Sequence, residues 1–248
     1  MELGIPSIRL GRKFGLCLLG GFLSLAQAEP ATIVFIAPIN ESMPLAHFEN
    51  ERLVEGIYKD LGEAIAARMG LEARFLTLPG ARVSEGLTTG RADALCYARP
   101  EWLNGSFDWS APVIEDAEMI VTGADAPPIR QITDLADQPI GTVIAYHYRE
   151  LQNQLDEHFR RDDAQSMEMN MQRVSAGRIR YAVIEKLLYD YATRQVPNPK
   201  TRVNLVYSTF NAMCAFSHRS AIPFPAFDAA VNALIADGTV ARILNRYR

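Results

Sequence analysis

Between Ala31 and Tyr97 short apolar runs alternate with amphipathic helical stretches, and this alternation limits the chain to few architectures. Ala31 to Ala37 is apolar and rich in β-branched residues, which predicts a buried strand ended by Pro38. Ile57, Leu61, Ile65 and Met69 then recur every fourth residue, and Gly70 follows as a C-cap, which predicts one amphipathic helix. Glu72 to Leu78 reads as the next strand and Ala81 to Thr89 as a short helix with Val83 and Leu87 inward. Ala92 to Tyr97 reads as a third strand. Strand and helix in strict turn predict an α/β layer with a largely parallel sheet.

A second series follows a break. Ala117 to Val121 is mostly apolar, and Gly123-Ala124-Asp125-Ala126-Pro127-Pro128 interrupts it as a crossover. Beyond lie a strand at Gly141 to Ala145, a helix carrying Leu151, Leu155 and Phe159, a strand at Tyr181 to Ile184 and a helix from Glu185 to Gln195. Val196-Pro197-Asn198-Pro199 closes that unit. Two strands are predicted next, Val203 to Tyr207 and Phe210 to Ser217. A helix with Phe227, Val231 and Leu234 stops at Gly238, and Val240, Ile243 and Leu244 mark a last short one.

The first 28 residues read as an export signal. Arg9, Arg12 and Lys13 precede an apolar run from Phe14 to Leu25, and Ala26-Gln27-Ala28 forms an A-x-A cleavage site. The run is about a dozen residues, short of the roughly 20 that span a bilayer. Cys17 lacks the small residues of a lipobox before it. Removing the segment takes away three basic and one acidic residue and moves the formal charge from -4 to -6. Mild acidity argues against nucleic acid as a partner. No H-E-x-x-H, paired-cysteine metal spacing or phosphate loop occurs, so no cofactor or metal is expected. Cys96 and Cys214 remain after cleavage; in an oxidising compartment they pair, or they are two separate buried thiols.

The stretch Glu85-Gly-Leu-Thr-Thr-Gly-Arg-Ala-Asp-Ala-Leu-Cys-Tyr-Ala98, then Phe107-Asp108-Trp109-Ser110-Ala111-Pro112, with Gly56-Ile57-Tyr58-Lys59-Asp60-Leu61 upstream, resembles the bacterial extracellular solute-binding proteins of family 3. Leu135 to Val143, Gly177 to Glu185 and Ala236 to Ile243 continue the resemblance in order. It implies a type II periplasmic-binding-protein fold, two α/β lobes joined by a two-strand hinge with a ligand cleft between them. Lobe 1 would comprise residues 29–123 and 207–248, and lobe 2 residues 124–206. The strand returning from lobe 2 would lie antiparallel to the third strand, which sets Cys96 beside Cys214 for a cross-strand disulfide; two reduced neighbours are the other reading.

The resemblance also locates a cleft. Amino-acid binders of the family usually carry Thr-x-x-Arg after the third strand, the arginine gripping a carboxylate. This chain has Arg99-Pro100-Glu101-Trp102 there. Arg99 either grips an anion from a shifted position or pairs with Glu101 at the surface. Trp102 either stacks on ligand or packs at the rim, and Tyr97 sits just before them. Where the family often has a small Gly-Thr turn, this chain has Tyr146-His147-Tyr148, an aromatic rim or a loop packed on its helix. Glu185 falls where an aspartate often meets the substrate ammonium; the alternative is a helix-start carboxylate with no ligand. Arg82 matches an arginine of relatives, reaching the cleft or capping the lobe.

The implied function is a monomeric, non-enzymatic periplasmic protein. It captures a small polar, amino-acid-like solute for an ABC transporter through an inner-membrane permease. A sensor read by a membrane receptor is the second possibility. A cyclohexadienyl-dehydratase-like enzyme, with Glu185 as acid, is the third.

Overall fold

The computed structural model describes residues 1–4, 31–195 and 200–248. The export-signal reading rests on residues 5–28, which lie outside the described ones, as does the break at Val196 to Pro199.

The chain opens with β1 (Thr32–Pro38), a hairpin of β2 (His47–Glu49) and β3 (Arg52–Glu55), α1 (Ile57–Met69), β4 (Glu72–Leu78), α2 (Val83–Thr88) and β5 (Ala94–Ala98). Then come β6 (Asp108–Trp109), β7 (Ile114–Gly123), β8 (Pro139–Val143), α3 (Arg149–Leu155), β9 (Arg160–Ala164), α4 (Met167–Ser175), β10 (Tyr181–Glu185) and α5 (Lys186–Arg194). The chain ends with β11 (Thr201–Phe216), α6 (Phe224–Ala236) and α7 (Thr239–Tyr247).

Helix α1 shows how local chemistry sets these elements. Its buried face is Ile57, Tyr58, Leu61, Ile65 and Ala66, the four-residue repeat of the sequence. Gly70 closes it at φ 70 with its N–H on the carbonyls of Ala66 and Ala67. Gly56 starts it at φ 121, where a Cβ would lie 2.4 Å from the Leu45 carbonyl oxygen. Only glycine permits that approach.

One sheet runs in the order β4-β1-β5-β11-β7-β10-β8-β9, with β6 added against β11. β4, β1 and β5 are parallel, as are β10, β8 and β9; the antiparallel pair β11 and β7 joins the two sets. Buried apolar residues divide accordingly. One cluster gathers Ile33, Phe35, Ile65, Leu87, Phe216, Phe227 and Val231 from the beginning and end of the chain. Two others gather Ile120, Leu135, Ile140 and Val183, and Val121, Val143, Ala182 and Ile184, from its middle.

Four features depart from the sequence reading. The two strands expected between Val203 and Ser217 are one 16-residue strand, β11. The polar Ser208-Thr209 pair reads as a break, yet it stays in register with Glu118 and Ala117 of β7. β9 was not expected at all: Arg-Arg-Asp-Asp-Ala has no apolar alternation, and it forms as an edge strand, where charge is tolerated. Helix α4 was also unanticipated; it starts at Ser166, whose side chain caps the Met169 N–H. Phe159 lies beyond the end of α3.

Candidate ligand site

A cavity of about 70 Å³ is walled by residues from both sides of the β7–β11 pair. Pro38, Glu41, Gly80, Val83, Tyr97, Trp102 and Leu103 line one side; Ala145, Tyr146, His147, Tyr148 and Glu185 line the other, with Glu118 of β7 between. Trp102, Glu118 and His147 also border an open groove of about 380 Å³ that contains Arg99, Glu101, Arg149 and Glu150.

The floor is an acidic cluster held by tyrosines. Tyr97 reaches it because its backbone takes φ 63, in the left-handed region that bulky residues avoid, at the irregular register between β5 and β11. Its hydroxyl lies 2.6 Å from Asp116 Oδ2 and 2.6 Å from Glu185 Oε2. A phenol has one proton to donate, so the second contact needs a protonated carboxyl. Asp116 accepts two backbone N–H groups on its other oxygen, from Ala117 at 2.7 Å and Leu187 at 3.0 Å, which favour its ionised form. The proton therefore belongs to Glu185. Burial pushes Glu185 well above the ordinary carboxylate range, and the nearby charges of Glu41 and Asp116 push it further.

Two further carboxyls face the same space. Glu41 accepts a hydrogen bond from the Tyr146 hydroxyl. Burial raises it from 4.5 to about 7, against the lowering effect of the Tyr146 and Tyr58 hydroxyls. Glu118 is 6% exposed and sits directly across from Glu185 in the β7–β10 ladder. Like charges so opposed are unfavourable. Burial raises Glu118 to about 7, while Arg99 and the Tyr207 hydroxyl pull it down. That hydroxyl approaches without hydrogen-bond geometry and is itself buried and unpartnered. Glu41, Glu118 and Glu185 thus line one aromatic cavity, and Asp116 is joined to Glu185 through the Tyr97 hydroxyl. Among the described residues no group of His, Cys, Asp and Glu is arranged to hold a metal ion.

The sequence model of the bacterial extracellular solute-binding proteins, family 3, matches residues 35–248. The chain belongs to that family. Solved structures of similar fold include an ancestral arginine-binding protein bound to glutamine, at TM-score 0.73 and 18% identity over 89% of this chain and 99% of that one. An amino acid ABC transporter substrate-binding protein from Streptococcus pneumoniae, bound to L-arginine, aligns at TM-score 0.71 and 15% identity, covering 88% and 94%. An ancestral amino acid-binding protein described as a precursor of cyclohexadienyl dehydratase aligns at 0.72 and 15%, covering 88% and 95%. No curated protein matches by sequence.

Within this member of family 3, the expected site residues fall into two groups. Tyr97, Trp102, Tyr146, His147, Tyr148 and Glu185 all line the cavity. Glu185 stands at the N-cap of α5 but makes no capping bond there; its carboxyl turns to Tyr97 instead. The Tyr148 hydroxyl accepts the Val143 N–H at 3.0 Å. The two arginines are elsewhere. Arg82 is exposed and pairs with Glu85 at 2.6 Å. Arg99 stacks on Trp102 and Phe210, 5.5 and 4.9 Å from the ring centres, and pairs with Glu101 at 3.3 Å. Cys96 and Cys214, register partners on β5 and β11, are joined in a disulfide.

Sequence reasoning missed Glu41, Asp116 and Glu118. A signal existed for two of them: Asp116 and Glu118 alternate beside the apolar residues Ala117, Met119, Ile120 and Val121 of one strand. Buried acids there call for an explanation. Glu41 lies in a loop after β1 and had none.

Proposed function

We propose that this protein is an exported binding protein that encloses a small, polar, amino-acid-like solute between two lobes, residues 29–123 with 207–248 and residues 124–206, and presents it to an inner-membrane permease. One observation carries the reading: the cavity takes its walls from chain segments whose apolar cores are separate, linked by the long β7 and β11 strands. A hinge at those strands opens and closes such a cavity. Family membership supports binding as the activity, and polar groups within an aromatic enclosure are what orient a small ligand.

The test is a thermal-shift screen of residues 29–248 against amino acids, amines, small carboxylates, sugars and prephenate. A ligand at 100 times its dissociation constant adds about 2.7 kcal/mol, or about 5 to 10 °C at this chain length. One chemical class raising the midpoint supports the reading, and Glu185→Ala should abolish that rise. A folded, ligand-free protein unmoved by every class sinks it. A shift with prephenate alone would redirect the assignment to turnover.

A further inference from the structure

Deepening that reading, and resting on it, we infer that the solute is an organic cation without a carboxylate: a primary amine or short diamine seated on Glu118, beside the Tyr97-bonded Glu185, inside the aromatic enclosure.

The lining of the cavity contains Glu41, Glu118 and Glu185 and neither arginine nor lysine. A ligand carboxylate there would meet Glu41 and Glu118, with protonated Glu185 beside them, and no arginine or lysine. The two arginines that the sequence offers as anion grips are engaged outside it, Arg82 with Glu85 and Arg99 with Glu101, Trp102 and Phe210. Glu118 adds a separate observation. It is 6% exposed, borders the cavity, and has no hydrogen bond or ion pair among the described residues. Its carboxyl is approached by Arg99 and the Tyr207 hydroxyl without a full hydrogen bond or ion pair, so it keeps acceptor capacity for a charged donor arriving with the ligand.

The other walls decide what kind of cation. Tyr97, Trp102, Tyr146 and Tyr148 present rings, and Pro38, Val83 and Leu103 present aliphatic surface. Rings attract an ammonium through their faces, and the aliphatic patch accommodates a methylene chain. A hydrated inorganic ion would gain nothing from either. At about 70 Å³ the enclosure takes one ammonium and a short chain. A second ammonium would extend past Glu118 toward Glu150 of the open groove, where Glu101 is taken by Arg99 and Arg149 also stands.

Matched pairs differing only by the α-carboxylate test this directly: agmatine with arginine, cadaverine with lysine, putrescine with ornithine, each titrated calorimetrically against residues 29–248. At least one decarboxylated member should bind ten-fold or more tightly than its amino acid. Glu118→Gln should weaken that amine at least ten-fold, and Arg99→Gln, which removes a nearby cation, should not weaken it. Tighter binding of the amino acids, with loss on Arg99→Gln, overturns the amine assignment while solute binding stands. Binding of a sugar or an anion alone overturns it likewise. Binding of nothing by folded protein overturns both.

Discussion

Glu118→Gln should stabilise the unliganded protein, by an amount that depends on pH. Glu118 is raised from 4.5 to about 7 by burial in the β7–β10 ladder. At about 1.4 kcal/mol per decade, that displacement is worth about 3 kcal/mol. The folded state holds the proton more tightly than the unfolded chain, so below about pH 4.5 the carboxyl is neutral in both states and costs nothing extra. As pH rises through the window up to about 7, folding must either retain a proton that the unfolded chain releases or bury a charge, and stability falls. Glutamine cannot ionise and keeps the shape. The variant should therefore melt with the native protein at pH 4.5 and about 6 to 12 °C above it at pH 8. Differential scanning calorimetry across that range, without ligand, makes the measurement. A midpoint difference that is constant from pH 4.5 to 8 would show that Glu118 does not titrate in this window and would refute the reasoning. The same linkage predicts that an amine binding to Glu118 releases protons near pH 6, visible as a buffer-dependent binding enthalpy.

Tyr97→Phe removes the hydroxyl shared by Asp116 and Glu185 and should cost about 2 to 3 kcal/mol of stability in denaturant titration, since ionised Asp116 loses a charge-assisted donor and protonated Glu185 loses its acceptor. Replacing Cys96 and Cys214 by serine opens a link across a sequence separation of 118 residues; a loss of about 2 to 5 kcal/mol is expected, and equal melting with and without reductant would contradict it. Gly56→Ala forces a side chain against the Leu45 carbonyl at φ 121, and chemical denaturation should show a loss of about 1 to 3 kcal/mol or more. Arg82→Ala is the control: an exposed residue paired with Glu85 outside the cavity should change stability by under about 1 kcal/mol and leave ligand affinity unaltered.

Local pattern was enough for much of the fold. The repeat Ile57, Leu61, Ile65 with Gly70 specified α1 to its ends, and Glu72 to Leu78 is β4 as read, because buried faces and caps are short-range properties. The order of the motifs was enough for the family and for the position of Glu185, Tyr97 and the Tyr146 to Tyr148 turn. Elements without an apolar period, β9 above all, left no trace, because β9 is held by its pairing with β8 and by polar contacts such as Asp163 with Thr142 and Asp162 with Arg173, which leave no hydrophobic pattern.

The character of the site was decided in three dimensions. Asp116 and Glu118 are two acids in a strand until the pairing of β7 with β10 sets Glu118 opposite Glu185 and the left-handed turn at Tyr97 brings one hydroxyl to two carboxyls. Arg99 is a candidate anion grip until stacking on Trp102 and Phe210 takes it out of the enclosure. Sequence spacing fixes which residues are neighbours along a strand or helix. Electrostatics acts through space, so the balance of charge within a cavity exists only once distant segments share it.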